Sequence, residues 1–239
     1  MIISDTHRYL FVELPHTGTT AISHELRECY DGRKILHKHA RYGDFLRGAN
    51  AAQRDYFVFS CIRNPLDEAV SIYARLRSDH KNAYTLPRKW VRPSDIALFQ
   101  WIRDTDADFP AFFNRVYRLP YDNWSTEAHR QFDYIIRFER LEEGFEEVLR
   151  RLGLEQVRPL PRVNSTASKE RSFADYYTPA IIPKAVATFG PFMRRWGYEF
   201  PQEWGPTRVP ALAQAEFSVL SAVRRGRAQY RRLMPSPKS

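Results

Sequence analysis

The first group of residues that could do chemistry lies in a short polar turn, residues 15–20, with the sequence PHTGTT. An apolar run precedes the turn and a helical pattern follows it, which predicts a strand, a loop and a helix N-terminus in succession. Backbone N–H groups at a helix N-terminus lack intrahelical partners and carry partial positive charge, so they suit a phosphate or sulfate group. Gly18 allows the backbone to approach an anion closely, and three hydroxyls add donors: Thr17, Thr19 and Thr20.

This turn differs from common phosphate loops in two ways. The Walker A pattern GxxxxGK[ST] is absent, which argues against an ordinary ATP-binding loop. His16 also occupies the position at which anion-binding loops of this shape usually carry a lysine. A positive charge at this position therefore depends on protonation of an imidazole.

A second candidate anion site follows the clearest predicted strand, residues 56–62, with the sequence YFVFSCI. Arg63 leaves the end of this strand, and Ser71 lies about two turns into the helix predicted over residues 66–76. Arginine offers a fork of donors matched to phosphate, and serine adds a hydroxyl. Because ligands of parallel α/β sheets bind beyond the carboxyl ends of strands, the two sites suit a nucleotide with phosphates at both ends of its ribose.

The elements that must position these residues alternate between strands and helices. Strands are predicted over residues 8–14, 56–62 and 132–138, with a short strand or extended loop over residues 34–39. Helices are predicted over residues 18–30, 42–49, 66–76, 93–103, 141–152, 178–192 (interrupted by Pro183) and 210–233. Apart from the helix over residues 93–103, residues 78–124 are predicted to be loop-rich and aromatic. Residues 158–171 are predicted to form a long basic loop. The alternation predicts an α/β fold with a mostly parallel central sheet flanked by helices.

Composition narrows the class of protein. The 239 residues are 43% hydrophobic, which is enough for a core, and no stretch approaches the ~18 apolar residues of a transmembrane helix. The N-terminal residues are not typical of a signal peptide. Cys29 and Cys61 form neither a disulfide framework nor a metal-ligand spacing, which favours a reducing, cytoplasmic setting.

The net charge of +9 is unevenly distributed, because residues 202–239 alone carry +5. The mild charge of the remaining chain disfavours a nucleic-acid or polyanion binder that depends on charge alone. The basic C-terminal helix has three interpretations: packing on the body, a homodimer contact, or peripheral contact with an anionic membrane or polyanionic acceptor. The first two are favoured. The apolar residues that would pack are Leu212, Phe217, Leu220 and Val223.

Together these motifs resemble those of sulfotransferases that use 3′-phosphoadenosine 5′-phosphosulfate (PAPS) as sulfuryl donor. PHTGTT resembles their 5′-phosphosulfate loop, and RNPLDEAVSIY, which begins at Arg63, resembles their 3′-phosphate motif. LHKHARYGDFL, residues 36–46, is similar to the HxH segment of uronosyl 2-O-sulfotransferases and related carbohydrate sulfotransferases. RFERLEEGFEEVLRRLGL, NSTASK and DYYTP…FMRRWGYEFP extend the resemblance over residues 9–201. It implies a P-loop-type three-layer fold, with a sulfotransferase domain over residues 1–201 and a basic helical tail over residues 202–239.

The resemblance also implies a role for each matching residue. Four loop residues would hold the 5′-phosphosulfate: Thr17, Gly18, Thr19 and Thr20. Arg63 and Ser71 would hold the 3′-phosphate, and Lys169 would close over the same phosphate. No metal is required.

Three histidines complete the predicted site. His39 would act as general base toward the acceptor hydroxyl, and His37 would support it or position the acceptor. The family carries lysine where this chain has His16, and that lysine donates to the bridging oxygen as the leaving phosphate gains charge. Our hypothesis is that His16 does this as an imidazolium, which nearby phosphate oxygens would favour.

The predicted reaction is in-line transfer of the sulfuryl group from PAPS to a hydroxyl of a carbohydrate or glycosylated small molecule. One alternative is a P-loop kinase, but Thr19 follows Gly18 where such an enzyme needs lysine. Arg63 likewise stands at a strand end where a kinase needs a magnesium-binding carboxylate. The substitution at His16 leaves a second alternative, a catalytically degenerate protein that binds PAPS or a polyanion.

Overall fold

The computed structural model of the protein describes residues 1–86, 91–122, 129–161 and 172–233. The described residues fall into two compact units. The first unit contains residues 1–63, 129–161 and 219–233, and the second contains residues 64–86, 91–122 and 172–218.

The first unit is built on a five-stranded sheet with the order β3-β1-β2-β4-β5. Its strands are β1 (Ile2–Ser4), β2 (Tyr9–Val12), β3 (Arg33–Lys34), β4 (Phe57–Ile62) and β5 (Tyr134–Arg137). β2, β4 and β5 are parallel neighbours, whereas β1 pairs antiparallel with both β2 and β3. The mostly parallel core of the sheet is therefore confirmed, and the antiparallel strand β1 is an addition to the prediction.

Helices cover both faces of this sheet, because alternate residues of its buried strands point to opposite sides. Tyr9 and Phe11 of β2 join one core cluster with α1 (Thr19–Cys29) and α7 (Leu141–Arg151). Leu10 and Val12 join another with α2 (Tyr42–Gly48) on the opposite face. A short helix, α3 (Ala51–Arg54), leads into β4. This arrangement is the predicted three-layer α/β fold.

The second unit is helical and has an aromatic core. Its helices are α4 (Pro65–Arg77), α5 (Pro93–Thr105), α6 (Phe109–Val116) and α8 (Ile182–Trp196). α6 was missed in the segment predicted to be loop-rich, although its sequence contains the usual start signals. The Asp108 side chain accepts a hydrogen bond from Ala111 N at 2.9 Å, and Pro110 lies in the first turn. Pro183 likewise begins α8 rather than interrupting it, because proline is tolerated where no intrahelical N–H is needed.

The basic C-terminal helix, α9 (Ala211–Leu233), contributes residues to both units. Phe217 is buried beneath the guanidinium group of Arg195, but Leu212 and Val223 are 71% and 45% exposed. Fewer apolar side chains of this helix are therefore buried than the sequence predicted. None of the described helices is both long and apolar enough to cross a lipid bilayer.

Candidate functional site

The polar turn after β2 contains a left-handed residue at its glycine. Gly18 is the N-cap of α1 and has a left-handed backbone with φ of 73°. A Cβ at this position would lie 3.0 Å from both Phe138 Cδ2 and Leu141 Cδ2, which is closer than side chains normally pack. The backbone angle and the neighbouring side chains therefore both favour glycine at this position.

The three threonines of the turn do different things. The hydroxyls of Thr17 and Thr19 both donate to the carbonyl oxygen of Leu14, at 3.2 and 3.0 Å, and both side chains are buried. Thr20 is exposed on the first turn of α1. The side chains of Thr17 and Thr19 thus shape the turn, whereas the hydroxyl of Thr20 faces outward. An anion at this turn would be held by backbone N–H groups and by Thr20.

Arg63 lies against the turn from the end of the neighbouring parallel strand β4. Its Nη1 donates to the carbonyl oxygen of His16 at 3.0 Å, and its guanidinium carbon lies 4.2 Å from the centre of the Phe138 ring. The residue is only 7% exposed. The carboxyl ends of β2, β4 and β5 therefore bring three groups together: the turn, the arginine and an aromatic ring that the sequence analysis did not single out.

His39 is the partly buried member of the HxH segment. Its Nδ1 lies 3.1 Å from the carbonyl oxygen of Glu13. Because a carbonyl can only accept, Nδ1 carries the hydrogen, and Nε2 of the neutral ring is left with the lone pair. Burial lowers the pKa of His39, opposed by the Glu13 carbonyl and reinforced by the positive charge of Lys38. A neutral imidazole with a free Nε2 lone pair is the form that a general base requires.

The backbone around these residues is strained. His16, Leu36 and His39 have left-handed φ angles of 62°, 54° and 65°, although none of them is a glycine. Such angles cost about 1–2 kcal/mol for each residue with a Cβ, and they are enriched at functional sites. His37, by contrast, is exposed, and its carbonyl oxygen accepts from Ala40 N at 3.1 Å in a tight turn.

Lys38 is a functional candidate that the sequence analysis missed. Its Nζ donates to Oγ1 of Thr20 at 3.0 Å, so the HKH segment contacts the region of the turn at two points. Lys38 and Thr20 also line an open groove of about 300 Å³ along α1. The groove contains further basic side chains, which are His24, Arg27 and Lys34. A lysine between two histidines was the only indication in the sequence.

Ser71 belongs to the second unit. It lies in α4 with 5% exposure, and the side chain of Asn64 caps the start of this helix by accepting from Leu66 N at 3.0 Å. The acidic residues of the same motif are structural, because Glu68 is buried and accepts a hydrogen bond from Tyr121 at 2.8 Å. Burial, together with the charge of Glu68, raises the pKa of Tyr121 well above its usual value.

Two further predictions are limited by what the structure describes. Lys169 lies outside the described residues, so its role in phosphate binding stays a prediction. Among the residues that the structure does describe, no group of three or more histidine, cysteine or acidic side chains could hold a metal ion.

Comparison with known proteins identifies one family. The family model described as "Sulfotransferase family" matches residues 1–195, which is most of the chain and includes every described residue of the site above. No curated protein and no solved structure matches the chain significantly.

Proposed function

The chain belongs to the sulfotransferase family, and on this premise we propose that it transfers the sulfuryl group of PAPS to a hydroxyl of a carbohydrate or glycosylated small molecule. The observation that carries the proposal is the placement of the HKH segment. The ring of His39 is hydrogen-bonded to the Glu13 carbonyl just before the polar turn, and Lys38 donates a hydrogen bond to Thr20, the last residue of the turn. A candidate base and a candidate anion loop therefore lie side by side.

The donor would bind with its 5′-phosphosulfate at the turn. The N–H groups at the start of α1, whose N-cap is Gly18, would hold such an anion, and the exposed hydroxyl of Thr20 would add a donor. Arg63 brings a guanidinium group to the same edge of the sheet. Its predicted role toward the 3′-phosphate, and those of Ser71 and Lys169, follow from the family resemblance.

The reaction we propose is a single in-line displacement. The acceptor oxygen attacks sulfur while Nε2 of His39 takes the hydroxyl proton. The bond between sulfur and the bridging oxygen breaks, and 3′,5′-ADP leaves with the electron pair. Negative charge develops on the leaving phosphate, where the imidazolium of His16 and the N–H groups of the turn stabilise it. His37 would position the acceptor or support the base.

Ligand-dependent thermal stability tests this proposal, because a ligand that binds only the folded state raises the unfolding midpoint. We expect 3′,5′-ADP to stabilise the protein and ATP with Mg²⁺ to have little effect. Stabilisation by ATP with Mg²⁺ alone would support the kinase alternative and overturn our proposal. An acceptor screen with radiolabelled PAPS then separates an active enzyme from a protein that only binds the donor.

A further inference from the structure

We infer that Lys38 supplies the permanent positive charge at the phosphosulfate loop that this chain lacks at His16. The inference rests on the proposed function, because the anion that Lys38 would meet is the 5′-phosphosulfate of the donor. It assigns a catalytic role to the residue between the two histidines of the HxH segment, for which the family resemblance implied no role.

The contact between Lys38 and Thr20 places the ammonium group at the start of α1. An ammonium group has three N–H donors, and the hydroxyl of Thr20 accepts one of them at 3.0 Å. The other two N–H donors can reach oxygens of an anion in the turn. The hydroxyl hydrogen of Thr20 can donate to the same anion, so Lys38 would act both directly and by polarising this hydroxyl.

The chain on either side of Lys38 restricts where its side chain can go. The carbonyl oxygen of His37 accepts from Ala40 N at 3.1 Å, which closes a tight turn around Lys38 and His39. Within this turn, His39 has a left-handed φ of 65°, and its ring is hydrogen-bonded to the Glu13 carbonyl. The strained turn thus directs Lys38 and His39 toward the same loop, and its cost is consistent with a role in positioning them.

The charge of Lys38 answers a specific chemical need. A lysine ammonium remains charged through the physiological pH range, whereas an ordinary imidazole is largely neutral at pH 7. The leaving phosphate gains negative charge during transfer, so a cation that persists at neutral pH stabilises the transition state. The same charge lowers the pKa of His39 and helps to keep the candidate base neutral.

Other charged groups of the first unit line the same groove as Lys38, and one of them provides the control. Glu13 lies there with its carboxylate 3.0 Å from the α-ammonium of Met1, and His24 and Arg27 lie on α1. Lys34 on β3 lines the same groove, but no side-chain hydrogen bond from it to the turn is found among the described contacts. A change at Lys34 therefore removes the same charge from the same groove without removing the contact with Thr20.

The experiment compares Lys38→Met, Lys38→Arg and Lys34→Met in the full chain. We measure the affinity for 3′,5′-ADP, turnover with PAPS, and turnover from pH 6 to 9. For Lys38→Met we expect turnover to fall about 10²-fold. We also expect weaker 3′,5′-ADP binding and an alkaline decline at lower pH, because the positive charge at the turn then depends on the imidazole of His16. Lys38→Arg should restore most of the turnover, and Lys34→Met should stay close to the unchanged protein.

Two outcomes would overturn the inference. If Lys38→Met and Lys34→Met have equal turnover and equal pH profiles, Lys38 is only another groove cation. If the unchanged protein neither binds 3′,5′-ADP nor transfers sulfuryl, both the proposed function and this inference are wrong. An active unchanged enzyme that is indifferent to Lys38 overturns the inference alone. Lys38 is exposed, so the variants are expected to fold, which the unfolding midpoint verifies.

Discussion

Nη1 of Arg63 donates a hydrogen bond to the carbonyl oxygen of His16 at 3.0 Å, which joins the end of one parallel strand to the loop that follows its neighbour. The guanidinium group also lies over the Phe138 ring, after the third parallel strand. A single buried side chain at the end of β4 thus contacts the segments that follow β2 and β5. This position gives Arg63 an effect on the loop in addition to its predicted contact with the 3′-phosphate.

Arg63→Ala is expected to weaken binding of 3′,5′-ADP roughly 10- to 100-fold, as for loss of a hydrogen bond to a charged group. Isothermal titration with 3′,5′-ADP and with 5′-AMP, which lacks only the 3′-phosphate, separates the two effects. If Arg63 binds the 3′-phosphate, the variant should lose most of the preference for 3′,5′-ADP. If the affinities for both nucleotides fall equally and the preference survives, Arg63 acts only through the loop.

His39→Ala is expected to lower turnover about 10²- to 10⁴-fold, as for loss of a general base, with a much smaller effect on donor affinity. Because burial lowers the pKa of His39, its ring stays neutral to a lower pH than an ordinary histidine. Turnover of the unchanged enzyme should therefore fall on the acid side only below the usual histidine pKa of about 6.5. Equal losses of turnover and donor affinity would contradict the role as base.

His16→Ala is expected to lower turnover about 10²- to 10³-fold, because a donor to the developing charge is lost. His16→Lys is the complementary variant, since it restores the residue that related loops carry. Steady-state rates between pH 6 and 9 should show that His16→Lys keeps its activity at higher pH than the unchanged protein. Normal turnover in His16→Ala would eliminate this histidine as a catalytic donor.

Gly18→Ala is expected to destabilise the fold by about 1–2 kcal/mol from its left-handed backbone alone, with a further cost from the contacts of its Cβ. It should also abolish stabilisation by 3′,5′-ADP. Gly48→Ala is the matched control, because a Cβ there meets nothing within 4 Å and alanine is the better helix former. Chemical denaturation measures both changes, and equal effects at the two glycines would refute the steric argument.

The sequence was most informative where chemistry and local structure coincide. Gly18 marked a loop whose backbone can approach an anion closely, and Arg63 followed a run of mostly apolar residues that predicted a buried strand. Short elements were harder to predict. β1 has three residues, too few to show a period, and its pairing depends on a long-range antiparallel contact.

The contacts of the HKH segment could not be predicted from local patterns. Lys38 contacts Thr20, and His39 contacts the carbonyl of Glu13. The segment that carries both residues has left-handed φ angles at Leu36 and His39. Those angles are imposed by packing rather than by the preferences of leucine or histidine. The role that we propose for Lys38 could therefore be recognised only from the folded structure.

The two threonine hydroxyls that converge on the Leu14 carbonyl have a consequence for how an anion would be received. They close the turn with the chain's own atoms, so its N–H groups are already oriented before any ligand arrives. Less conformational entropy would then be lost when an anion binds, which favours its affinity.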